Sequence, residues 1–308
     1  MNKIVAICGP TAVGKTAYSI EIAKRFDGEI VSCDSMQLYK YMDIGSAKPS
    51  PDELNQVKHH LIGIVDPSEM FSVAKYKELA SSSIDDILSR GKLPIIAGGT
   101  GLYLDALLFD LDFAAAPSDD SLRDELYKIA EEKGNLELHA ILQECDPCSA
   151  QRIHPNNVRR VVRAIESAKS GNKLKDFAKD LSLNDKYEFI LIGLRRDREE
   201  LYDRINRRVD VLVKEGLFEE VKMLREMGLS ESDISMKGIG YKEVLAYFDG
   251  EYDLETAIDT IKKNTRHFAK RQITWLKRYD DMKWFDLSES KDDKDSIREI
   301  ITWLEKNL

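Results

Sequence analysis

The chain has 308 residues, 43% hydrophobic and 33% charged, with a formal net charge of −9. Its length suits one large domain with an insertion, or two domains, and its composition a soluble protein with a proper core. No apolar run approaches the ~20 residues that cross a bilayer, so no membrane association is expected.

Met1-Asn2-Lys3 leads straight into a core strand, which leaves no room for a signal peptide and points to the cytoplasm. That strand is predicted over Ile4–Cys8. Next comes Gly9-Pro10-Thr11-Ala12-Val13-Gly14-Lys15-Thr16, with a helix over Lys15–Arg25. Two glycines five apart, then Lys and Thr, between a strand and a helix, form a phosphate-binding loop. Its backbone N–H groups turn toward phosphate oxygens, and the helix adds its positive end. Lys15 is expected to neutralise phosphate charge and Thr16 to hold Mg2+ through its hydroxyl.

A second strand is predicted over Glu29–Cys33, ending at Asp34. A carboxylate at that edge coordinates magnesium or accepts a proton; alternatively, with Ser35, it makes an Asx-turn or helix cap. Gln37 carries a donor and an acceptor, which suits reading a base edge. A polar loop over 41–53 precedes an apolar run over 59–65, a helix over 73–89, and a strand over 93–97. Gly98-Gly99-Thr100-Gly101 then allows close approach of a ligand or a neighbouring element, or is a tight structural turn. This alternation implies a parallel sheet between helices, with ligands at one sheet edge.

After Asp112 the chain turns helix-forming, starting at Pro117-Ser118-Asp119-Asp120. Residues 113–185 read as a helical insertion between core segments 1–112 and 186–308. Cys145-Asp146-Pro147-Cys148, with His139 and His154 near, is half a zinc site or a helix–turn connection. The four cysteines suit a reducing compartment, and Cys8 and Cys33 end buried strands.

Strand character returns over 187–194, followed by helices over 197–214 and 217–227. Arg204 and Arg208, four apart on one face, can clamp a diphosphate or pair with Glu199, Glu200 or Asp203. A long helix over 254–278 carries Lys262, Lys263, Arg266, Lys270, Arg271, Lys277 and Arg278 with no acid after Lys262. Phe268, Ile273, Trp275 and Leu276 are its expected buried stripe. Arg152, Arg159, Arg160, Arg163, Lys169, Lys173 and Lys175 form a second basic group. Such local fields suit an RNA backbone despite the net charge, though a solvated face is the plainer reading. A short strand over 284–287 and a terminal helix complete the order.

Together, Gly9–Thr16, Asp34-Ser35-Met36-Gln37-Leu38-Tyr39, Asp43-Ile44-Gly45-Ser46-Ala47-Lys48-Pro49, His59-His60-Leu61-Ile62 and Gly98-Gly99-Thr100-Gly101-Leu102-Tyr103 resemble the bacterial tRNA dimethylallyltransferase (tRNA isopentenyltransferase) family. So do His154-Pro155-Asn156-Asn157 with Arg160, Arg163, Ala164 and Glu166, then Gly238-Ile239-Gly240-Tyr241 and Ala269-Lys270-Arg271-Gln272-Ile273-Thr274-Trp275-Leu276. Arg159, Ser46 and Gly63 depart from the usual Gln, Thr and Asp.

The resemblance implies a phosphate-loop NTPase-like core and transfer of a dimethylallyl group from dimethylallyl diphosphate to N6 of adenosine 37. The loop would hold that diphosphate, with magnesium, rather than ATP. By position, Asp34 would accept the amine proton, while Lys15, Thr16 and Arg204 or Arg208 stabilise the departing diphosphate. The tRNA anticodon stem-loop would meet Asp34-Ser35-Met36-Gln37, Thr100, Arg159-Arg160-Val161-Val162-Arg163, Lys237-Gly238-Ile239-Gly240-Tyr241-Lys242 and Thr265-Arg266-His267-Phe268-Ala269-Lys270-Arg271-Gln272. The insertion would help to grip the RNA, and a monomer is expected. A prenyltransferase of free adenine nucleotides, a kinase and an ATP-dependent RNA switch are the rival readings.

Overall fold

Strand register decides which loops meet. The computed structural model describes residues 2–109, 111, 120–171, 182–290 and 292–308. Its strands are β1 (Asn2–Cys8), β2 (Gly28–Cys33), β3 (His59–His60), β4 (Leu93–Gly98), β5 (Tyr187–Arg195) and β6 (Lys283–Asp286). They form one parallel sheet in the order β3-β2-β4-β1-β5-β6. Cys8 and Cys33 both pair with Gly98 on the strand between them, so Gly9, Asp34 and Gly99 leave the sheet side by side. Val5, Ile7, Val31 and Ile96 are wholly buried, as strands covered on both faces require.

The helices are α1 (Lys15–Arg25), α2 (Pro51–Gln56), α3 (Val73–Ser89), α4 (Gly101–Leu108), α5 (Asp120–Lys133), α6 (Asn135–Cys145) and α7 (Pro147–Arg152). They continue as α8 (Val158–Lys169), α9 (Arg198–Lys214), α10 (Leu217–Glu226), α11 (Tyr241–Phe248), α12 (Leu254–Leu276) and α13 (Asp293–Leu304). Two helices were not expected. Helix α2 opens with a capping box, in which the Ser50 hydroxyl accepts from Glu53 N–H and the Glu53 carboxylate accepts from Ser50 N–H. Ser-Pro-x-Glu is a start signal present in the sequence. Helix α11 is fastened by Glu243, whose carboxylate accepts from Gly240 N–H at 2.7 Å. The apolar run over 59–65 yields only the two residues of β3, because Leu61 turns the chain at φ 62°.

The chain divides into one unit of residues 1–108 and 184–308 and another of residues 109–183. The second contains α5–α8 around Leu126, Leu138, Leu142, Val161, Val162 and Ile165. Val161 and Val162 are therefore core residues, which removes their side chains from the expected RNA contacts. Glu166, fully buried, is neutralised by Arg123 at 3.1 Å and Arg163 at 2.6 Å. Arg163 thus has a structural partner, whereas Arg159 and Arg160 are exposed. Cys145-Asp146-Pro147-Cys148 joins α6 to α7, with Asp146 capping α7 through Ser149 N–H. His139 Nε2 faces the Ala150 and Ile153 carbonyls. No three His, Cys, Asp or Glu residues gather as a metal site among the described residues. The boundary after Asp112, the turn at Pro117-Ser118-Asp119, and Lys173 and Lys175 lie outside those residues.

At the opposite sheet edge, buried Glu29 meets Arg90, His60 and Lys58. Hydrogen bonds from Arg90 lead in lowering its carboxyl from 4.5 to about 2, against the opposing effect of burial. A depressed carboxyl contributes stability above its unfolded value and loses it as pH falls through the folded one. Urea unfolding from pH 6 to pH 2 should show native stability falling between about 4.5 and about 2. Glu29→Gln should be less stable at neutral pH by about 3 kcal/mol, with the difference shrinking across that window.

Candidate active site

The loop after β1 is shaped by cations on its carbonyl groups. Lys15 Nζ donates to the Gly9 and Pro10 oxygens at 3.0 and 2.9 Å. Arg204 Nε donates to the Ala12 oxygen at 3.0 Å, and Arg196 Nε to the Val13 oxygen at 3.1 Å. Arg196, unforeseen in the sequence, is itself held by Glu200 at 2.7 Å and Asp293 at 2.6 Å. Ala12 and Gly14 stand at φ 63° and 117°, and the Gly14 position is one that a side chain would strain. Gly14 also caps α1 without any side-chain hydrogen bond, so the helix presents its first-turn amides. One amide departs from expectation. Thr11 N–H donates to Gln272 Oε1 at 2.8 Å and does not serve the phosphate cradle.

A cavity of about 250 Å³ opens on this loop, lined by Lys15, Thr16, Asp34, Lys48, Arg204 and Arg208 among others. Burial lowers the Lys15 ammonium from 10.5 to about 8, against the stabilising charge of Asp34. Among the described residues Arg204 and Arg208 form no ion pair with Glu199, Glu200 or Asp203. Arg208 instead donates to the Ala47 oxygen at 3.4 Å. Two guanidinium groups and an ammonium give the cavity a charge that suits an anion.

Asp34 makes the Asx-turn that its sequence context allowed. Its Oδ1 accepts from Met36 N–H at 2.9 Å and Gln37 N–H at 3.4 Å. This holds the carboxylate in place and leaves Oδ2 for other chemistry. Thr100 Oγ1 accepts from Ser35 N–H at 3.1 Å, fastening the same turn to the end of β4. Gln37 is anchored too, accepting from Ser32 Oγ at 3.0 Å and donating to the Ala47 oxygen at 3.3 Å. Each end of its amide has one partner in the protein and one further hydrogen-bonding position, and the half-buried side chain lines the first cavity.

A larger chamber of about 480 Å³ shares Thr11, Ala12, Asp34, Ser46, Ala47 and Arg208 with the first cavity. Its remaining wall includes Phe71, Tyr103, Val209, Leu212, Leu217 and Phe268. Asp34 therefore stands where a cationic cradle meets a mainly apolar chamber. Sequence reasoning missed the apolar residues Phe71, Val209, Leu212 and Leu217 of this wall, which come from the segment before α3 and from α9 and α10 and carry no shared motif.

Two buried carboxylates hold the chamber's loops. Glu220 accepts from the N–H groups of Asp43, Ile44 and Gly45 at 2.7, 2.7 and 2.9 Å, and from Tyr241 Oη at 2.8 Å. Glu243 holds Gly240 and accepts from Asn264 Nδ2 at 2.7 Å. Glu220 lies on the apolar stripe of Leu217, Val221 and Leu224, a sequence signal that an acid there has a buried partner. Tyr241 is fully buried, so the ring packs inside the protein and is removed from the RNA contacts. Gly238, Ile239, Lys237 and Lys242 line the chamber, with both lysines exposed.

Helix α12 turns a basic face outward. His267, Lys270, Arg271, Thr274 and Arg278 are exposed around a groove that Trp275 shares. Arg278 stacks over the Trp275 ring at 4.8 Å and Arg271 over Phe268 at 5.8 Å. The buried side is Ala257, Ile261, Ala269, Gln272 and Leu276. Phe268, Ile273 and Trp275 are only half-buried, so of the expected stripe Leu276 alone is fully enclosed. Ala269 and Gln272 are corrected from RNA contacts to interior residues. Lys262 pairs with Asp210 at 2.6 Å and Arg266 donates to Asn206 at 2.6 Å, because neighbouring α9 supplies what α12 lacks. Thr265 is half-buried on the chamber wall.

Residues 37–279 match the IPP transferase family. The chain is 50% identical to a tRNA dimethylallyltransferase of Alkaliphilus oremlandii, covering 93% of this chain and 92% of that one. It is also 50% identical to a tRNA dimethylallyltransferase of Clostridioides difficile over the full length of both. Among solved structures, a tRNA isopentenylpyrophosphate transferase from Bacillus halodurans matches with TM-score 0.76 and 45% identity, covering 99% and 96% of the two chains. A eukaryotic dimethylallyltransferase acting on tRNA matches with TM-score 0.83 and 29% identity, covering all of this chain and 80% of the other. With the cationic loop and its parallel sheet already described, these likenesses place the chain in the IPP transferase family.

Proposed function

We propose that the chain transfers a dimethylallyl group from dimethylallyl diphosphate to N6 of adenosine 37 in the tRNA anticodon loop. The observation that carries this reading is Asp34 at the junction of a cationic cradle and an apolar chamber. A prenyl diphosphate has that same polarity, with a multiply charged head on a hydrocarbon tail. N6 attacks C1 of the dimethylallyl group as the C1–O bond breaks, and the bonding pair leaves with the diphosphate. Asp34 Oδ2 takes the N6 proton, which leaves a neutral secondary amine. Lys15, Arg204 and Arg208 stabilise charge on the leaving diphosphate. The Thr16 hydroxyl and the Asp34 carboxylate, which line the same cavity, offer oxygen donors only, which fits Mg2+ completed by phosphate oxygens and water. When bound, the ion would neutralise part of the diphosphate charge.

The exposed α12 face, Lys237 and Lys242, and Arg159 and Arg160 on the helical unit are the proposed RNA contacts. The division into a core with a helical insertion serves the same reading, and the enzyme acts as a monomer in the cytoplasm. No helix among the described residues is long and apolar enough to cross a membrane. A basic surface of this kind favours tRNA over a free nucleotide as acceptor, since a small acceptor needs none.

Labelled dimethylallyl diphosphate should deliver label to unmodified tRNA and not to AMP; label in AMP, or in neither, rejects the assignment. Asp34→Ala should lower kcat by about 100-fold or more with tRNA affinity nearly unchanged, and retained turnover removes the base role. Joint replacement of Lys270 and Arg271 by Ala should weaken tRNA binding and reduce the salt slope by about one to two.

The Lys15 charge gives a pH test. Its lowered ammonium is fully charged below the folded value and loses its proton as pH rises through about 8. Pyrophosphate binding should draw that proton back and raise the midpoint of Lys15 acylation above about 8. A midpoint indifferent to pyrophosphate contradicts the cradle.

A further inference from the structure

Gln272 is the one α12 side chain whose amide reaches two catalytic loops at once. It is 6% exposed. Its Oε1 accepts from Thr11 N–H in the phosphate loop, and its Nε2 donates to the Gly99 oxygen at 2.9 Å. A β-carbon on Gly99 would stand 2.2 Å from Nε2, so the glycine makes room for this amide. The Gly99 segment continues into Thr100, which holds Ser35 N–H and thereby the Asp34 turn. On the same helix, His267, Lys270 and Arg271 face outward.

We propose that Gln272 is a positioning residue that couples RNA docking on α12 to the relative placement of the phosphate loop and the Asp34 turn. The inference rests on the tRNA reading above. A side-chain amide suits this role because it donates and accepts in one plane. Both partners are backbone groups; the bond to Gly99 is buried and the bond to Thr11 part-buried, and an unmade bond at such a place is costly. A shift of α12 by a fraction of an ångström therefore moves both loops or breaks one of the two bonds. Neither loop would then be optimally set for diphosphate until RNA fixes the helix. Coupling of this kind is reciprocal, so the diphosphate tightens RNA binding by the same factor.

The test uses the full chain, inorganic pyrophosphate and an unmodified anticodon stem-loop RNA. Pyrophosphate affinity is measured by titration calorimetry with and without saturating RNA. The native protein should bind pyrophosphate about 5-fold or more tighter with RNA present. Gln272→Met, similar in volume but without the amide, should bring that ratio to within about 2-fold of one while each ligand still binds alone. Gly99→Ala, which displaces the amide from its other partner, should do the same and serves if the first variant fails to fold. A merely structural Gln272 would lower thermal stability and leave the ratio intact. A ratio near one in the native protein, or an intact ratio in a folded variant, overturns the inference. Should neither ligand bind the native protein, the reading of the site falls and takes this inference with it.

Discussion

The site depends on a division of labour among backbone groups of the phosphate loop. Its carbonyls are taken by cations: Lys15 on Gly9 and Pro10, Arg204 on Ala12, and Arg196 on Val13. Those contacts fix the loop's curvature, and with carbonyls occupied the α1 amides are the polar groups left for an anion. Burial of the Lys15 ammonium lowers its proton affinity. Arg196 contributes nothing to a ligand in this arrangement. It links Val13 to Glu200 and Asp293, bracing the loop from behind through α9 and α13.

The same physics runs in reverse on the other side of the chamber. There buried carboxylates collect backbone N–H groups. Glu220 takes three from residues 43–45, and Glu243 takes one from Gly240. Charge-assisted bonds to backbone are stronger than neutral ones, so each acid orders a segment with no regular structure. Irregular loops around a reactive centre need such anchors, since no helix or strand ladder supplies them. Tyr241 joins Glu220 through its hydroxyl and gives one anchor to both the 43–45 loop and α11.

Much of the sheet could be read from local pattern. Strand–loop–helix alternation, the phosphate-loop spacing and the start of α1 are properties of contiguous residues, and β1, β2, β4 and β5 fall within a few residues of their expected bounds. What could not be read is set by contacts distant in sequence. Gln37 and Gln272 look alike in a sequence, each a polar residue in a basic or catalytic stretch. Gln272 is buried and Gln37 half-buried, and both brace backbone, because Ala47, Gly99 and Thr11 approach from elsewhere in the chain. Val161, Val162 and Ala269 went the same way, since a run of neighbours on a helix cannot all face outward. Glu220 and the Ser50 capping box were legible and overlooked.

These corrections narrow what each element contributes. With Gln272 and Tyr241 enclosed by the protein, fewer side chains are left to act on ligands. Asp34 keeps one oxygen while the other holds its own turn. Thr16, Arg204 and Arg208 line the cradle, and the exposed bases of α12 lie on a helix whose buried face grips the loops. A carboxylate rotating freely in a wide chamber would spend little time aimed at an acceptor amine. Tying Oδ1 to two backbone amides removes that freedom before substrate arrives, which places the entropic cost in folding rather than in the transition state. The bond from Ser35 to Thr100 extends the restraint to β4, so the carboxylate proposed as base is located by the sheet itself.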